Sequence, residues 1–378
     1  MMKSILFIHH ASSVGGGSYC MLNILRELDR SKYRPAVLLK EDGPLKAEVD
    51  ALGIDVSVLP SIRQIAYTGK GCEARVWLSY LKVMRAALSF RKWLQAHPFD
   101  AVYLNSIVLY PFLKVARDCG CKAFLHIREH WMPGLQLRLA QRAVHAYADG
   151  IVAINGYSAS MFPAEGERIR VVHDWIDFSS RSEERPFSAL FGGDMTGRKV
   201  YLFTGGLFPI KGAREVLTAF HGYLTDPEDR LLALGVDPDA VPRTAYEQEC
   251  LDILRSDSRI KCLPATWKVK QLYAQAYCNL SFFTLPHANL TLAECALLGT
   301  PSVAVRTEEA LEYSLGGKTA LLCRPGDFAD FVEKLRQLPE VYPSLKKQLV
   351  TESDALRTMF DRSRNLAVLN ALLDEVLL

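Results

Sequence analysis

Short apolar runs alternate with amphipathic segments along the first half of the chain. The apolar runs predict strands at residues 4–9, 34–39, 55–59, 101–105, 122–127 and 150–154. Apolar positions spaced by three and four predict helices between them, at residues 18–28, 44–51 and 75–95. Strands that alternate with helices in this way indicate an open parallel sheet with helices on both faces.

A polar segment at residues 177–199 interrupts this alternation, and we interpret it as a domain linker. Strands are then predicted at residues 200–204, 230–235, 260–263, 279–283, 301–305 and 320–323. Helices are predicted at residues 213–222, 246–255, 269–277, 292–298, 328–338 and much of 343–378. The pattern predicts an α/β protein with two Rossmann-like domains, 1–180 and 181–360, whose parallel sheets face across a cleft. Residues 361–378 are expected to form a helix that packs back towards the first domain.

Composition and charge exclude several classes of protein. The 378 residues are 49% hydrophobic and 23% charged, which are ordinary globular values and exclude disordered and collagen-like chains. The net charge of +3 is too small to indicate nucleic acid as the main partner. The charge is uneven, because residues 1–180 hold 22 Lys and Arg against 16 Asp and Glu. The first half is therefore the better candidate for contact with an anionic partner.

Cysteine usage and hydropathy indicate a cytoplasmic protein. The nine cysteines include no CxxC pair, which disfavours a zinc site and suits buried thiols in a reducing compartment. No apolar run reaches the roughly 18 residues that a bilayer requires, and the N-terminus lacks the features of a signal peptide. The basic amphipathic helix at residues 75–95 has two interpretations. It lies on an anionic membrane surface, or it packs on the sheet with a solvated outer face.

Three consecutive glycines, Gly15 to Gly17, precede the first predicted helix. Glycines at such a position allow backbone N–H groups to approach an anion or a sugar closely. A dinucleotide fingerprint would need a third glycine where Cys20 stands, and it would follow the strand directly. The remaining interpretations are a loop that approaches a ligand and a plain flexible turn.

A second motif runs from Thr204 to Gly212 and presents Lys211 just before a helix. A compact ammonium beside helix N–H donors is suited to a diphosphate, although a solvated lysine would fit the same pattern. A third motif, residues 285–301, contains Glu294 as the one charge of a small apolar helix. Ribose hydroxyls would satisfy that carboxylate, while Asn289 and Thr291 at the helix start would cap the helix or bind phosphate.

In their order and spacing these motifs resemble the retaining GT-B glycosyltransferases, family 4 in particular, over nearly the whole chain. The resemblance implies a nucleotide-sugar donor, UDP- or GDP-linked, without a metal or other cofactor. It implies that Gly16 and Gly17 face the donor phosphate and the acceptor, and that Lys211 binds the diphosphate. Glu294 matches the second acidic residue of an E-x7-E motif, which holds the ribose.

The resemblance also implies roles for residues outside the three motifs. It places His126 near the transferred sugar and the loop of residues 264–267, with Thr266, at the base. His126 and Lys211 are accordingly the predicted catalytic residues. The other predicted substrate-binding residues are Arg128, Glu129, Gly206, His287, Asn289, Leu290 and Thr291.

Two positions depart from the family pattern. Pro286 stands where the first glutamate of E-x7-E is expected, and Gly206 stands where an arginine normally accompanies the lysine. His287 is a candidate for the missing sugar contact, and Arg128 or Arg214 for the missing phosphate charge.

The leading functional hypothesis is transfer of a sugar from a nucleoside diphosphate to a glycan or lipid-linked acceptor hydroxyl, with retention at the anomeric carbon. The resemblance places this reaction in cell-surface polysaccharide biosynthesis, in the cytoplasm or peripherally at the inner face of the membrane. Two alternatives remain open. The chain is a non-catalytic relative that binds a nucleotide or glycan, which Pro286 and Gly206 favour, or it is a nucleotide-sugar epimerase.

Overall fold

Every strand pair among the described residues is parallel, as the alternation of strands and helices predicts. The computed structural model describes residues 2–13, 15–67, 73–176, 186–264 and 269–378. Its strands are β1 Lys3–Ile8, β2 Tyr33–Leu39, β3 Asp55–Val58, β4 Ala101–Leu104, β5 Lys122–Ile127, β6 Gly150–Ala153, β7 Ile169–Val171, β8 Val200–Thr204, β9 Arg230–Leu234, β10 Ile260–Leu263, β11 Cys278–Ser281, β12 Ser302–Val305 and β13 Ala320–Cys323.

Helices connect these strands. They are α1 Gly16–Glu27, α2 Pro44–Asp50, α3 Ala74–Ala96, α4 Phe112–Asp118, α5 Leu135–Tyr147, α6 Gly156–Ser160, α7 Phe187–Phe191, α8 Ala213–Tyr223, α9 Ala245–Ser256, α10 Lys270–Gln275, α11 Leu290–Leu297, α12 Glu308–Tyr313, α13 Phe328–Thr351, α14 Ser353–Met359 and α15 Arg362–Leu377. The chain divides into two units, one of Met1–Trp175 with Asp361–Leu378 and one of Ile176–Phe360.

The first unit is built on a sheet with the order β3-β2-β1-β4-β5-β6-β7. Strands β4 and β6 are apolar along their whole length, and β1 is apolar from Ile5 to Ile8, because helices cover both faces of the sheet. One apolar core contains Phe90 of α3 and Phe112 of α4. The other contains Leu25 of α1 together with Leu369 and Leu373 of α15, so the C-terminal helix completes this unit.

The second unit repeats the architecture on a sheet with the order β10-β9-β8-β11-β12-β13. Phe220 of α8 and Phe331 of α13 lie in the core on one face. Leu292 of α11 and Leu356 of α14 lie in another apolar cluster. Two Rossmann-like units with parallel sheets confirm the predicted α/β class.

The order of strands reverses at one point in each sheet. In the first unit the reversal lies between β1 and β4, and in the second between β8 and β11. Loops that leave the carboxyl ends of two such neighbouring strands turn in opposite directions and leave a crevice for ligands. Functional side chains are therefore expected just after these four strands.

The structure differs from the sequence predictions in several elements. Strand β7, with three residues, was too short for its apolar pattern to indicate a strand. Helix α13 continues through Pro339 and Pro343 instead of ending at residue 338, because its buried face extends from Phe331 to Leu349. In the segment predicted as a linker, residues 177–185 lie outside the described residues, and α7 buries Phe187 in the second unit.

Candidate functional site

Lys211 lies at the crevice of the second unit, on the loop that leaves β8. The loop ends in a turn of 3-10 helix, Pro209–Lys211, which packs against the segment that follows β11. Thr284 donates its backbone N–H to the Ile210 carbonyl over 3.2 Å and its hydroxyl to the Pro209 carbonyl over 3.1 Å. Hydrogen bonds between the two loops thus fix the position from which Lys211 projects.

Gly212 makes this packing possible. A Cβ on Gly212 would lie 1.8 Å from the Phe282 carbonyl oxygen, and φ of Gly212 is +64°. Any larger residue would push the lysine loop away from β11, because neither the space nor the backbone conformation admits a side chain. The glycine after Lys211 is therefore required by the geometry of the loop.

The ammonium of Lys211 lies over the Phe283 ring, with 4.3 Å between Nζ and the ring centroid. Within the described part of the chain, no carboxylate lies within ion-pair distance of it. Burial accordingly lowers the pKa of Lys211 to about 8. A desolvated cation without a counter-charge at a crevice provides a site for an anionic ligand.

His287 shares the Phe283 ring with Lys211. Its imidazole contacts the ring edge-on, with 5.6 Å between centroids. Burial, and secondarily the charge of Lys211, lowers the pKa of His287 to about 3. His287 is therefore neutral at physiological pH and offers hydrogen bonds beside the cation without adding a second positive charge.

The start of α11 lies at the same crevice. Asn289, the residue before the helix, does not cap it but donates its amide to Ser281 Oγ over 2.8 Å, at the end of β11. Thr291 accepts a hydrogen bond from Thr204, the last residue of β8, with 3.2 Å between the hydroxyl oxygens. Leu290 packs into a neighbouring apolar cluster. These contacts leave the first N–H groups of α11 without side-chain caps.

Glu294 lies one helical turn beyond Thr291 and is partly buried. Burial raises the pKa of Glu294 to about 7, although the nearby Lys270 opposes this shift. Lys211 acts electrostatically on His287, whereas Lys270 acts on Glu294.

The two departures from the family pattern have structural consequences. Gly206 has a φ of +67°, and a Cβ there would lie 3.0 Å from the Gly235 carbonyl, so this backbone disfavours an arginine. Arg214, one candidate for the missing charge, is exposed and paired with Glu215 and Glu249 over 3.1 Å each. Its charge is therefore already balanced.

The crevice of the first unit holds a chain of hydrogen bonds between β1 and β4. Arg128 Nε donates to Asn105 Oδ1 over 2.7 Å, which fixes the orientation of that amide. Asn105 Nδ2 then donates to His9 Nδ1 over 3.0 Å and to the Gly17 carbonyl over 3.1 Å. His9 Nε2 consequently carries the proton and donates to Ser18 Oγ, 3.1 Å away.

This hydrogen-bond chain reaches the glycine-rich segment. Ser18 donates onward to the Ser13 carbonyl over 2.9 Å. Gly16 and Gly17 form the first turn of α1, and a Cβ on Gly17 would lie 3.7 Å from both Arg128 and His9. The backbone before and within this turn is thus held by His9, Asn105 and Arg128.

Arg128 is balanced by Asp174. Its Nη1 lies 2.8 Å from both carboxylate oxygens of Asp174, and the side chains are 5% and 15% exposed. Burial alone would lower the pKa of Arg128, but Asp174 holds that pKa above its usual value. Arg128 therefore serves the first unit internally, and its charge is compensated.

His126 and Glu129 also have partners within the first unit. His126 Nδ1 is 2.8 Å from the Tyr103 hydroxyl, and burial, with a smaller effect of Arg128, holds the pKa of His126 far below its usual value. The imidazole is fully buried, so contact of His126 with a sugar stays a prediction. Glu129 accepts hydrogen bonds from Ser106 Oγ over 2.6 Å and from the Ile107 N–H over 3.1 Å.

In the second unit, Lys211 and His287 thus both contact the Phe283 ring, and Asn289 and Thr291 form hydrogen bonds with the last residues of β11 and β8. Glu294 lies one turn further along α11. Thr266 lies outside the described residues. Sequence reasoning missed Thr204 in this unit, and His9, Asn105 and Asp174 in the first. Three of these, Thr204, His9 and Asn105, stand at or directly after the carboxyl end of a strand beside a reversal of strand order, which is the signal that would have found them.

Comparison with known proteins agrees with this architecture. Residues 15–175 match the model of a glycosyl transferase 4-like domain, and residues 198–340 match glycosyl transferases group 1. The chain belongs to the GT-B glycosyltransferases. No curated protein matches the sequence significantly.

Several solved structures share the fold of this GT-B glycosyltransferase at low sequence identity. Anabaena Alr3699/HepE in complex with UDP and glucose has a TM-score of 0.78 and 19% identity, covering 99% of this chain and 100% of that one. A glycosyltransferase from Rickettsia africae has a TM-score of 0.75 and 13% identity, covering 100% and 99%. Sucrose-phosphate synthase from Thermosynechococcus elongatus has a TM-score of 0.74 and 12% identity, covering 99% and 98%.

Proposed function

We propose that the protein transfers a sugar from a nucleoside diphosphate to a hydroxyl of a glycan or lipid-linked acceptor, with retention at the anomeric carbon. The observation that carries the proposal is the uncompensated cation Lys211 beside neutral His287 at the β8–β11 crevice. The HepE structures, determined with UDP and glucose or with UDP-glucose, support a UDP-sugar as the first donor to test. A role in cell-surface polysaccharide biosynthesis fits an acceptor of this kind.

Each side chain of the crevice has a role in this proposal. Lys211 and the uncapped N–H groups of α11 bind the diphosphate and stabilise the charge that develops as it leaves. Glu294 accepts hydrogen bonds from the ribose hydroxyls, which offsets the cost of its burial. His287 binds a hydroxyl of the sugar in place of the glutamate that Pro286 replaces.

The proposed chemistry needs no side-chain nucleophile. As the bond between the anomeric carbon and the phosphate oxygen breaks, the departing phosphate takes the proton of the acceptor hydroxyl. The acceptor oxygen then bonds the anomeric carbon on the face that the phosphate leaves. Protein charge supplies the electrostatic stabilisation, so we expect turnover to persist in a metal chelator.

Incubation with a panel of nucleotide sugars, with and without glycan and lipid-linked acceptors, tests the proposal. We expect release of a free nucleoside diphosphate together with a new glycoside whose anomeric configuration matches that of the donor. An altered sugar still attached to its nucleotide, or nucleotide release without transfer to any acceptor, would point to an epimerase. Nucleotide binding without any turnover would support the non-catalytic alternative, which the replacements at Pro286 and Gly206 favour.

The affinity for UDP-glucose is expected to have a maximum between pH 7 and 8. The diphosphate of UDP-glucose loses no proton between pH 7 and 8, so ionisable groups of the protein determine how the affinity changes with pH. Affinity rises towards pH 7 as Glu294, with a pKa of about 7, becomes the carboxylate that accepts ribose hydrogen bonds. Affinity falls above pH 8 as Lys211, with a pKa of about 8, loses its proton. Titration calorimetry from pH 5.5 to 9.5 measures the profile.

Two variants assign the limbs of this pH profile. Glu294→Gln should bind more weakly and lose the acidic limb, whereas Lys211→Met should lose the basic limb. His287 has a pKa of about 3 and stays neutral throughout, so His287→Asn should change the affinity without changing the shape. An acidic limb that survives in Glu294→Gln would contradict the role assigned to that residue.

A further inference from the structure

The two segments that position Lys211 expose apolar side chains around it. Phe208, on the loop that leaves β8, is 54% exposed, and Leu285, on the segment after β11, is 37% exposed. Four neighbouring apolar residues are exposed or half-buried. Together these six residues form what we call the apolar rim: Leu207, Phe208, Pro209, Ile210, Leu285 and Pro286.

Phe208 and Lys211 lie side by side on a turn of two glycines. A Cβ on Gly205 would be 2.9 Å from Lys211 Cγ, so the lysine stem packs on that residue. A Cβ on Gly206 would be 3.2 Å from Phe208 Cε2, so the ring packs on the next residue. The Phe208 carbonyl accepts the Lys211 N–H over 2.9 Å. A group attached to an anion at Lys211 is therefore within reach of the Phe208 ring.

The part of the rim after β11 is joined to the lysine loop. Thr284, which precedes Leu285, donates hydrogen bonds to the Pro209 and Ile210 carbonyls. His287, two residues beyond Leu285, contacts the ring over which the lysine ammonium lies. The rim therefore borders both the cation and the neutral imidazole, and an apolar surface that is continuous with a binding site indicates contact with the ligand.

Few polar side chains of these segments remain to bind a sugar hydroxyl. Residues 205–212 and 282–287 contain three, which are Lys211, Thr284 and His287. The Thr284 hydroxyl already donates to the lysine loop, and Lys211 is assigned to the diphosphate. A hydroxyl pressed against the rim would lose its hydrogen bonds to water without gaining a partner, which disfavours binding. A methyl group at the same place would cover apolar surface and favour binding.

We propose that the transferred sugar is a 6-deoxyhexose, with its methyl group against the apolar rim, and that Phe208 and Leu285 determine this specificity. The inference rests on the proposed function, because the diphosphate bound at Lys211 is what brings the sugar to the rim. His287 is left to bind a ring hydroxyl. An N-acetyl group is disfavoured at the rim, because its amide N–H and carbonyl would need partners that apolar side chains do not offer.

Titration calorimetry with four uridine nucleotides tests the proposal: UDP, UDP-glucose, UDP-6-deoxyglucose and UDP-N-acetylglucosamine. The nucleotide is the same in all four, so differences in affinity arise from the sugar. We expect the wild type to bind UDP-6-deoxyglucose about tenfold more tightly than UDP-glucose, since one small group in an apolar pocket contributes a factor of about this size. UDP-N-acetylglucosamine should bind no more tightly than UDP-glucose.

Substitutions at the rim assign the preference to its side chains. Phe208→Asn and Leu285→Asn should each reduce the preference for the 6-deoxy sugar to about threefold or less, without changing the affinity for UDP. Phe208→Leu keeps an apolar side chain and should retain most of the preference. Val350→Asn, at a position of α13 that is 76% exposed, is the matched control and should change none of the affinities. Both rim positions are exposed, so we expect thermal midpoints close to that of the wild type.

Three outcomes would overturn this inference alone. These are equal affinity of the wild type for UDP-glucose and UDP-6-deoxyglucose, tighter binding of UDP-N-acetylglucosamine than of either, and a loss of affinity in Phe208→Asn that is as large for UDP as for UDP-6-deoxyglucose. The last outcome would assign the ring to the nucleotide. Absence of UDP binding to the wild type would instead overturn the UDP-sugar donor of the proposed function together with this inference, so the two failures are distinguishable.

Discussion

Replacement of Lys211 by methionine should lower sugar transfer by about 100- to 1,000-fold while leaving the protein at least as stable as the wild type. The loss follows because one preorganised electrostatic contact to a developing anion contributes a factor of this size. Methionine keeps an unbranched stem of similar length over Phe283 but cannot bind the diphosphate. Initial rates with a saturating donor and acceptor, compared with those of the wild type, measure the effect.

The stability of the same variant distinguishes a functional role from a structural one. Burial lowers the pKa of Lys211 to about 8, below its unfolded value, so the protonated lysine disfavours folding, and this cost is fully present at pH below about 8. Its removal should therefore leave the thermal midpoint equal or higher at pH 7. The exposed Lys347→Met on α13 is the matched control and should change neither property. Turnover in Lys211→Met within threefold of the wild type would contradict the proposed role.

Candidate residues of the second unit could be identified from the sequence because their signals are local. Lys211 follows a strand and precedes a glycine and a helix within one short segment. Glu294 is the one charge in an apolar helix, so its burial cost is visible in the sequence itself. What the sequence could not show is which neighbours balance a charge, and for Lys211 the structure supplies an aromatic ring in place of a carboxylate.

The hydrogen-bond chain of the first unit could not be predicted, because its members are far apart in the sequence. His9 and Asn105 are 96 positions apart and meet only because β1 and β4 are neighbours in the sheet. Asp174 follows β7, a strand of three residues, and no pattern in the sequence pairs it with Arg128. From the sequence alone, Arg128 is a candidate for the missing positive charge beside the donor phosphate. In the structure Arg128 pairs with Asp174 and orients Asn105.

Removal of the Asp174 carboxylate, as Asp174→Ala, should reduce the free energy of unfolding by about 3 kcal/mol. Arg128 would remain buried, 5% exposed, with its charge uncompensated, and that cost is larger than the benefit of the intact pair. For a unit of this size we expect the thermal midpoint to fall by about 6–12 °C. Differential scanning calorimetry and urea titration both measure this change.

The double variant Arg128→Met/Asp174→Ala tests whether the unpaired charge is the cause. It should recover most of the lost stability, because the arginine that needs the carboxylate is then absent. Asp50→Ala, which removes an exposed pair with Lys46, is the matched control and should cost under about 0.5 kcal/mol. Equal destabilisation of Asp174→Ala and the double variant would instead mean that Asp174 acts through other contacts. Because Arg128 orients Asn105, and Asn105 the Gly17 carbonyl, the double variant should still show faster amide exchange at the start of α1.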